Sequence, residues 1–247
     1  MQAGAIVRFG GITAYGDKYH GRGFHFTDLI GLPEAPEVDL DLTKRPTEHG
    51  AFLGKATLEE RTVRIVGFYV GPTHQHVQNE GNRLRGLLTS RVRLVVETPL
   101  GTEWVSGVVT QARMTPRGFF PEADWSVEVV CEDPRVYGEV EDFPGGQVAI
   151  HRGNFAARPQ LVVSGTAASG YTVTGPGGRR VVVTKALASG SPHTIDFAKG
   201  GLYINGTRQL RAISIYEPWD IPPGLPGVTA TVNNGLSLIQ RVTKTSI

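Results

Sequence analysis

Two Asn-Gly dipeptides, each set between strand-forming residues, constrain this chain more than anything else in it. Leu202-Tyr203-Ile204-Asn205-Gly206-Thr207-Arg208 holds one, and the stretch from Val228 to Leu238 holds the other at Asn234-Gly235, with stricter in-out alternation. Asn-Gly accepts the positive φ angles of a type I′ turn, whose twist matches that of paired antiparallel strands. Each segment therefore predicts a hairpin. Glycine supplies 32 of the 247 residues, about twice its ordinary share of ~7%. The glycines fall between short apolar runs, the pattern of many turns and not of a disordered tail.

A chain of this length suits two domains of ~100–150 residues. The alternating pattern breaks after Asp133-Pro134, and an acidic stretch with Glu139, Glu141 and Asp142 runs into Phe143-Pro144-Gly145-Gly146. The predicted organisation is a first domain over 1–140, a linker over 141–146 and a second domain over 147–247. Within Met1–Gly10 the run Ala5–Phe9 reads as the first strand; Val38–Leu42, Arg61–Val70, Arg91–Val96, Glu103–Met114 and Ala123–Cys131 follow. One segment reads as a helix. Thr73 is its N-cap, Val77, Gly81, Leu84 and Leu88 recur at helical spacing with Leu87 beside them, and Arg83 and Arg85 fall on the remaining surface. From Val148 onward, short strands and close turns predict a sandwich.

The same residues exclude several functions. A formal charge of +2 gives no reason to expect nucleic-acid wrapping. No apolar run approaches the ~20 residues of a membrane helix, and the first residues lack a secretion signal. The lone Cys131 has no bridge partner and reads as a small buried hydrophobe, consistent with a reducing compartment. His74 and His76 are two apart and diverge on a helix; with His20 and His25 they find no zinc-ligand spacing, so no metal is expected. There is no Gly-x-Ser-x-Gly elbow and no phosphate-cradling loop, so neither catalytic residues nor a cofactor are expected. Glu34/Glu37, Asp39/Asp41, Glu59/Glu60 and Glu139/Glu141 are paired carboxylates; Asp39 and Asp41 share a strand face, which reads as solvated. Tyr171, Phe197, Tyr203 and Tyr216 fit core packing or loop anchoring. Trp219 sits in the proline-held loop Glu217–Gly227 and is predicted to be an exposed contact.

The order of motifs in the second half resembles the C-terminal domain of siphophage distal tail proteins. Gly153-Asn154-Phe155-Ala156-Ala157-Arg158-Pro159 leads into Leu161–Gly165; Tyr171-Thr172-Val173, Thr194-Ile195-Asp196-Phe197, Gly200–Gly206 and Ile221-Pro222-Pro223-Gly224 follow. In the first half, the basic strand Arg61–Val70, the Asn82–Leu88 helix and a hairpin are similar to the tail-tube-type fold. The resemblance implies a mainly β chain: an N-terminal tail-tube-like β-sandwich or split barrel with one helix, and a C-terminal galectin-like β-sandwich. It implies a structural, non-enzymatic hub at the tip of a long non-contractile tail, a hexameric ring of copies of itself in the virion, assembled in the host cytoplasm. Its neighbours would be the tail tube protein, a tail-tip or baseplate hub protein and the tape measure protein, with DNA passing through the channel unbound. Leu84, Leu87, Arg83 and Arg85 are the expected ring interface, and Asp39 and Asp41 the expected lumen. Rival readings are a carbohydrate-binding adhesion module using Trp219, a plain tail tube subunit, which would need only the first domain, and a cell-wall hydrolase.

Overall fold

The computed structural model describes residues 4–17 and 21–247, so His20 lies outside the described residues. The chain divides into two compact units, Met1–Val136 and Tyr137–Ser246.

In the first unit, β1 (Ile6–Phe9), β2 (Ile12–Tyr15), β3 (Gly23–Ile30), β6 (Arg61–Val70), β7 (Arg91–Thr98), β8 (Gly101–Pro116) and β9 (Glu122–Cys131) make one sheet in the order β8-β7-β1-β2-β3-β6-β9. The pairing of β8 with β9 closes it into a seven-stranded barrel. All neighbours are antiparallel except β2 and β3, which run parallel. Strict alternation builds this barrel: along β6, Arg61, Val63, Ile65, Gly67 and Tyr69 are buried while Thr62 and Arg64 are exposed. Phe9, Phe24 and Trp125 pack inside, with Phe24 edge-on to Trp125 at 5.5 Å between ring centres. The Trp125 indole N–H donates to the carbonyls of His25 and Phe68, both at 3.1 Å. Cys131 is buried here, and desolvation pushes its thiol up to about 11.

Helix α1 (His74–Arg85) is capped by Thr73, whose hydroxyl accepts from the His76 N–H. It lays Val77, Gly81 and Leu84 on the barrel wall. The remaining two strands of this unit, β4 (Val38–Lys44) and β5 (Ala51–Leu58), among the described residues pair only with each other.

In the second unit, β10 (Val136–Pro144), β12 (Gln160–Ser164), β15 (His193–Asp196), β16 (Leu202–Ile204), β17 (Thr207–Gln209) and β21 (Ser237–Ser246) form one layer, ordered β17-β16-β15-β12-β21-β10. The other layer is β18-β14-β13-β20, made of β13 (Tyr171–Thr174), β14 (Arg180–Val183), β18 (Ile213–Tyr216) and β20 (Thr231–Val232). A short ribbon pairs β11 (Val148–Ala149) with β19 (Val228–Thr229). Leu161, Val163, Ile195, Leu238 and Val242 meet Tyr171, Val173, Val181 and Val183 in its core. The Tyr171 hydroxyl and His193 Nδ1, from opposite layers, are hydrogen-bonded at 3.1 Å.

Two local expectations change and one holds. The stretch 141–146 is strand up to Pro144, because Arg241 grips Asp142 with two bonds of 2.8 Å and holds β10 beside β21. The first Asn-Gly closes the β16–β17 hairpin with φ of 48° and 76°, as its chemistry predicts. The second, at Asn234-Gly235, has the same left-handed backbone but links two layers, since β13 captures β20 and holds Asn233 through the Thr172 backbone.

Candidate assembly interface

The β4–β5 hairpin is nearly bare of packing. A two-stranded ribbon alone is marginally stable in water, yet every residue of β4 is exposed, and so is every residue of β5 except the half-buried Leu58. Its root is rigid. Arg61, itself buried, donates from Nη1 to the carbonyls of Leu32 at 3.1 Å and Glu34 at 2.6 Å and to that of Gly31, and from Nε to that of Pro134 at 2.7 Å. The Glu59 N–H then closes the base onto the Glu37 carbonyl at 2.9 Å.

The register shows what the ribbon is built to present. Val38 pairs with Leu58 and Leu40 with Ala56, but then Leu42 pairs with Leu53 across a bulge. In unbroken register Leu42 would face Gly54, and Leu53 would point to the other side. One extra residue flips the strand's phase, so the bulge gathers Leu53 onto the face of Val38, Leu40 and Leu42. Leu40, Leu42 and Leu53 are 47%, 56% and 64% exposed. The opposite face carries Asp39 and Asp41, whose carboxylate lies where a side chain on Gly54 would stand. Phe52 falls on that face too, with the Arg45 guanidinium 4.9 Å from its ring centre.

The barrel also bears a groove of about 520 Å³ with an apolar floor of Ala5, Phe26, Leu32 and Val96 and with Asp28, Glu34 and Glu103 in its lining. Among the described residues, the β3 edge beside it has no ladder partner on the β2 side past His25, since β2 pairs with Phe24 and His25 alone.

The residues singled out from sequence separate here. Leu84 is wholly buried in the barrel core and is no surface residue; it sits on the helix stripe that packs inward. Leu87 is half-buried over Gly10, where a Cβ would come within 2.8 Å of its methyls. Arg83 and Arg85 are exposed; Arg83 donates to the Gly11 carbonyl at 2.6 Å and Arg85 to Asn82 at 2.7 Å. Trp219, expected to face outward, is 2% exposed. Its ring stands edge-on to Phe197 at 4.8 Å and covers Gly175, where any side chain would collide with the indole. Paired backbone bonds between Ala157 and Ile221, at 2.9 and 2.8 Å, and the Arg179 guanidinium donating to the Pro218 carbonyl at 3.0 Å hold the loop down over the core. Trp219 cannot stack on a sugar. The hairpin's leucines were legible as alternation at Val38–Leu42, but their lack of any covering layer was not.

No family model matches the sequence, and no curated protein does. The fold, by contrast, is one found in phage hub and baseplate proteins. The chain is similar in structure to the Dit protein of phage SPP1, described as a paradigm of the hub adsorption apparatus of phages infecting Gram-positive bacteria, with a TM-score of 0.76 at 15% identity over 98% of this chain and 99% of that one. A chain of the phage P2 baseplate in its activated conformation with calcium matches at 0.55 and 9% identity, over 97% of this chain and 98% of that one. The strontium form of the same baseplate matches at 0.54 and 9% identity, over 96% of this chain and 97% of that one.

Proposed function

We propose that this chain is a non-enzymatic structural hub of a long non-contractile phage tail tip, closing with copies of itself into a hexameric ring. The observation that carries the reading is the whole-chain likeness to a phage hub protein, end to end in both chains. Fold alone does not make function, and the uncovered hairpin supplies the independent physical support. A ring needs a head-to-tail contact in which two different patches of one subunit meet. The leucine face of the hairpin is one patch. The groove beside β3 is the other, its carboxylates Asp28, Glu34 and Glu103 suited to Lys44 at the hairpin's far end and Lys55 midway along it. Seven residues of strand reach about 23 Å at ~3.3 Å each, enough to lie across a neighbour. The exposed guanidiniums of Arg83 and Arg85 add contacts from α1. With the leucines turned to the neighbour, Asp39 and Asp41 line a channel where their charge keeps passing DNA from sticking. The ring joins the tail tube to the tip or baseplate hub around the tape measure protein, in the virion tail, after assembly in the host cytoplasm.

The test is light scattering and negative-stain imaging of the full chain and of the triple variant Leu40→Ser, Leu42→Ser, Leu53→Ser. The parent should give rings with a central hole. Each leucine buried at the contact is worth about 2 kcal/mol, so the variant should dissociate at least a hundredfold more readily while its melting temperature as a monomer stays put. A strictly monomeric parent, or unchanged rings in the variant, would overturn the proposal.

A further inference from the structure

The near-neutral total hides a strong asymmetry. Residues 147–247 carry ten Lys and Arg against three Asp and Glu, a net of +7, whereas residues 1–146 carry fifteen against twenty, a net of −5. The excess gathers at one edge of the second unit. From Thr184 to Tyr216 there are four cations, Lys185, Lys199, Arg208 and Arg211, all exposed, and a single carboxylate. That carboxylate, Asp196, is buried: one oxygen accepts from the backbone of Ala198 and Lys199 at 2.9 Å, the other from the Gln160 amide at 2.8 Å. The other two acids of residues 147–247, Glu217 and Asp220, are engaged with the Arg180 backbone and with Arg158.

The four cations converge on the β16–β17 hairpin. Arg208 stands on β17, its Nε 3.2 Å from where a Cβ on Gly201 would lie, and Lys199 is two residues before that glycine in the β15–β16 turn. The Lys185 ammonium donates to Gln209 at 2.5 Å, next along β17. Arg211 closes the strand in a left-handed turn with φ of 55°. A bare sheet edge is guarded adequately by a charge or two; four like charges without an exposed counter-charge repel one another and favour an anionic partner.

We propose that this edge binds a flexible phosphodiester polymer of the polyol-phosphate type, such as poly(glycerol phosphate). A backbone without bases asks only for spaced cations, which this edge offers. Nucleic acid would ask for a row of open ring faces to stack on, but Trp219, Tyr171 and Phe197 are buried, Tyr216 sets its ring edge-on to Phe197, and the hairpin itself offers the single half-buried Tyr203 opposite Arg208. The hub reading supplies only the setting, a particle that meets a bacterial surface; the binding chemistry stands on the charges alone.

The experiment measures binding of the full chain to poly(glycerol phosphate), to single-stranded DNA at equal phosphate concentration and to neutral dextran, with ring formation imaged in parallel. With about four phosphates neutralised, affinity for the polymer should fall roughly 50-fold between 50 and 200 mM salt. Lys185→Gln, Lys199→Gln, Arg208→Gln and Arg211→Gln together should lower it more than tenfold and flatten the salt dependence, with rings intact. The control Arg22→Gln, Arg64→Gln, Arg113→Gln should bind as the parent does. No binding, equal loss in the control, or equal or tighter binding to DNA or dextran overturns the proposal. Polymer binding by a chain that forms no rings sinks the ring and leaves this site standing.

Discussion

The barrel unit and the sandwich unit are incomplete in opposite ways. The barrel leaves apolar surface uncovered: a ribbon with three leucines about half exposed on one face. The sandwich seals its core, Trp219 included, with exposed apolar residues such as Leu210 and Leu225 lying in its loops, and leaves charge uncompensated instead. Uncovered hydrocarbon is satisfied only by close, dry, lasting contact. Surplus charge is satisfied at longer range by any suitable polyanion, reversibly and in a salt-dependent manner. One unit is thus suited to building an assembly and the other to reaching beyond it.

Core substitutions give the largest expected effects, and they should be alike in the two units if each core is independently complete. Leu84→Ala in the barrel should cost about 2–5 kcal/mol and Trp219→Ala in the sandwich about 3–5 kcal/mol, read by denaturant unfolding followed through probes placed in each unit. A near-neutral Trp219→Ala would return that ring to the surface and undo the contrast. A smaller effect of opposite sign is expected at Gln240. It is fully buried on β21, and among the described residues neither amide atom meets a hydrogen-bond partner. Gln240→Leu removes an unpaired polar group and should stabilise the sandwich by about 1 kcal/mol, seen as a raised melting temperature; a loss would show that the amide is satisfied in solution.

The smallest expected effect is on pH. Burial holds both His151 and His193 below the usual 6.5, with the Lys185 charge adding to the effect at His193. The unfolded chain therefore binds protons more readily than the folded one as pH falls below 6.5. Stability of the sandwich should be full above that point and decline below it. Melting curves from pH 7.5 to 5.5 should show the decline in the parent and a flatter course in His151→Gln, His193→Gln. An equal decline in both would assign it to other groups.

Much of this was written locally. The Thr73 cap, the helical stripe as far as Leu84 (Leu88 lies past the helix end and is exposed), the β16–β17 turn, the alternation of β6 and the buried Cys131 all follow from the preferences of neighbouring residues, which act over a few positions. The same local logic misread Leu84 and Trp219. A stripe at helical spacing says that one face is apolar, not that it is already spent on the barrel wall. Prolines say that a loop is stiff, not which way it presses its indole. Whole-chain charge hid the basic edge, because summing erases where charges lie.

By itself the sequence determined most of the long strands, the β16–β17 turn, the single helix and the apolar alternation of β4, since these depend on steric and hydrogen-bonding preferences that each short segment carries with it, whereas Lys44–Lys55 reads as a turn and yet supplies the first half of β5. Only the tertiary structure decided that β8 meets β9 to close a barrel, that the second Asn-Gly crosses between layers, that a bulge turns Leu53 toward the other leucines, and that these leucines stay exposed. Those outcomes depend on which distant segments compete for the same surface, and burial is a property of the packed whole.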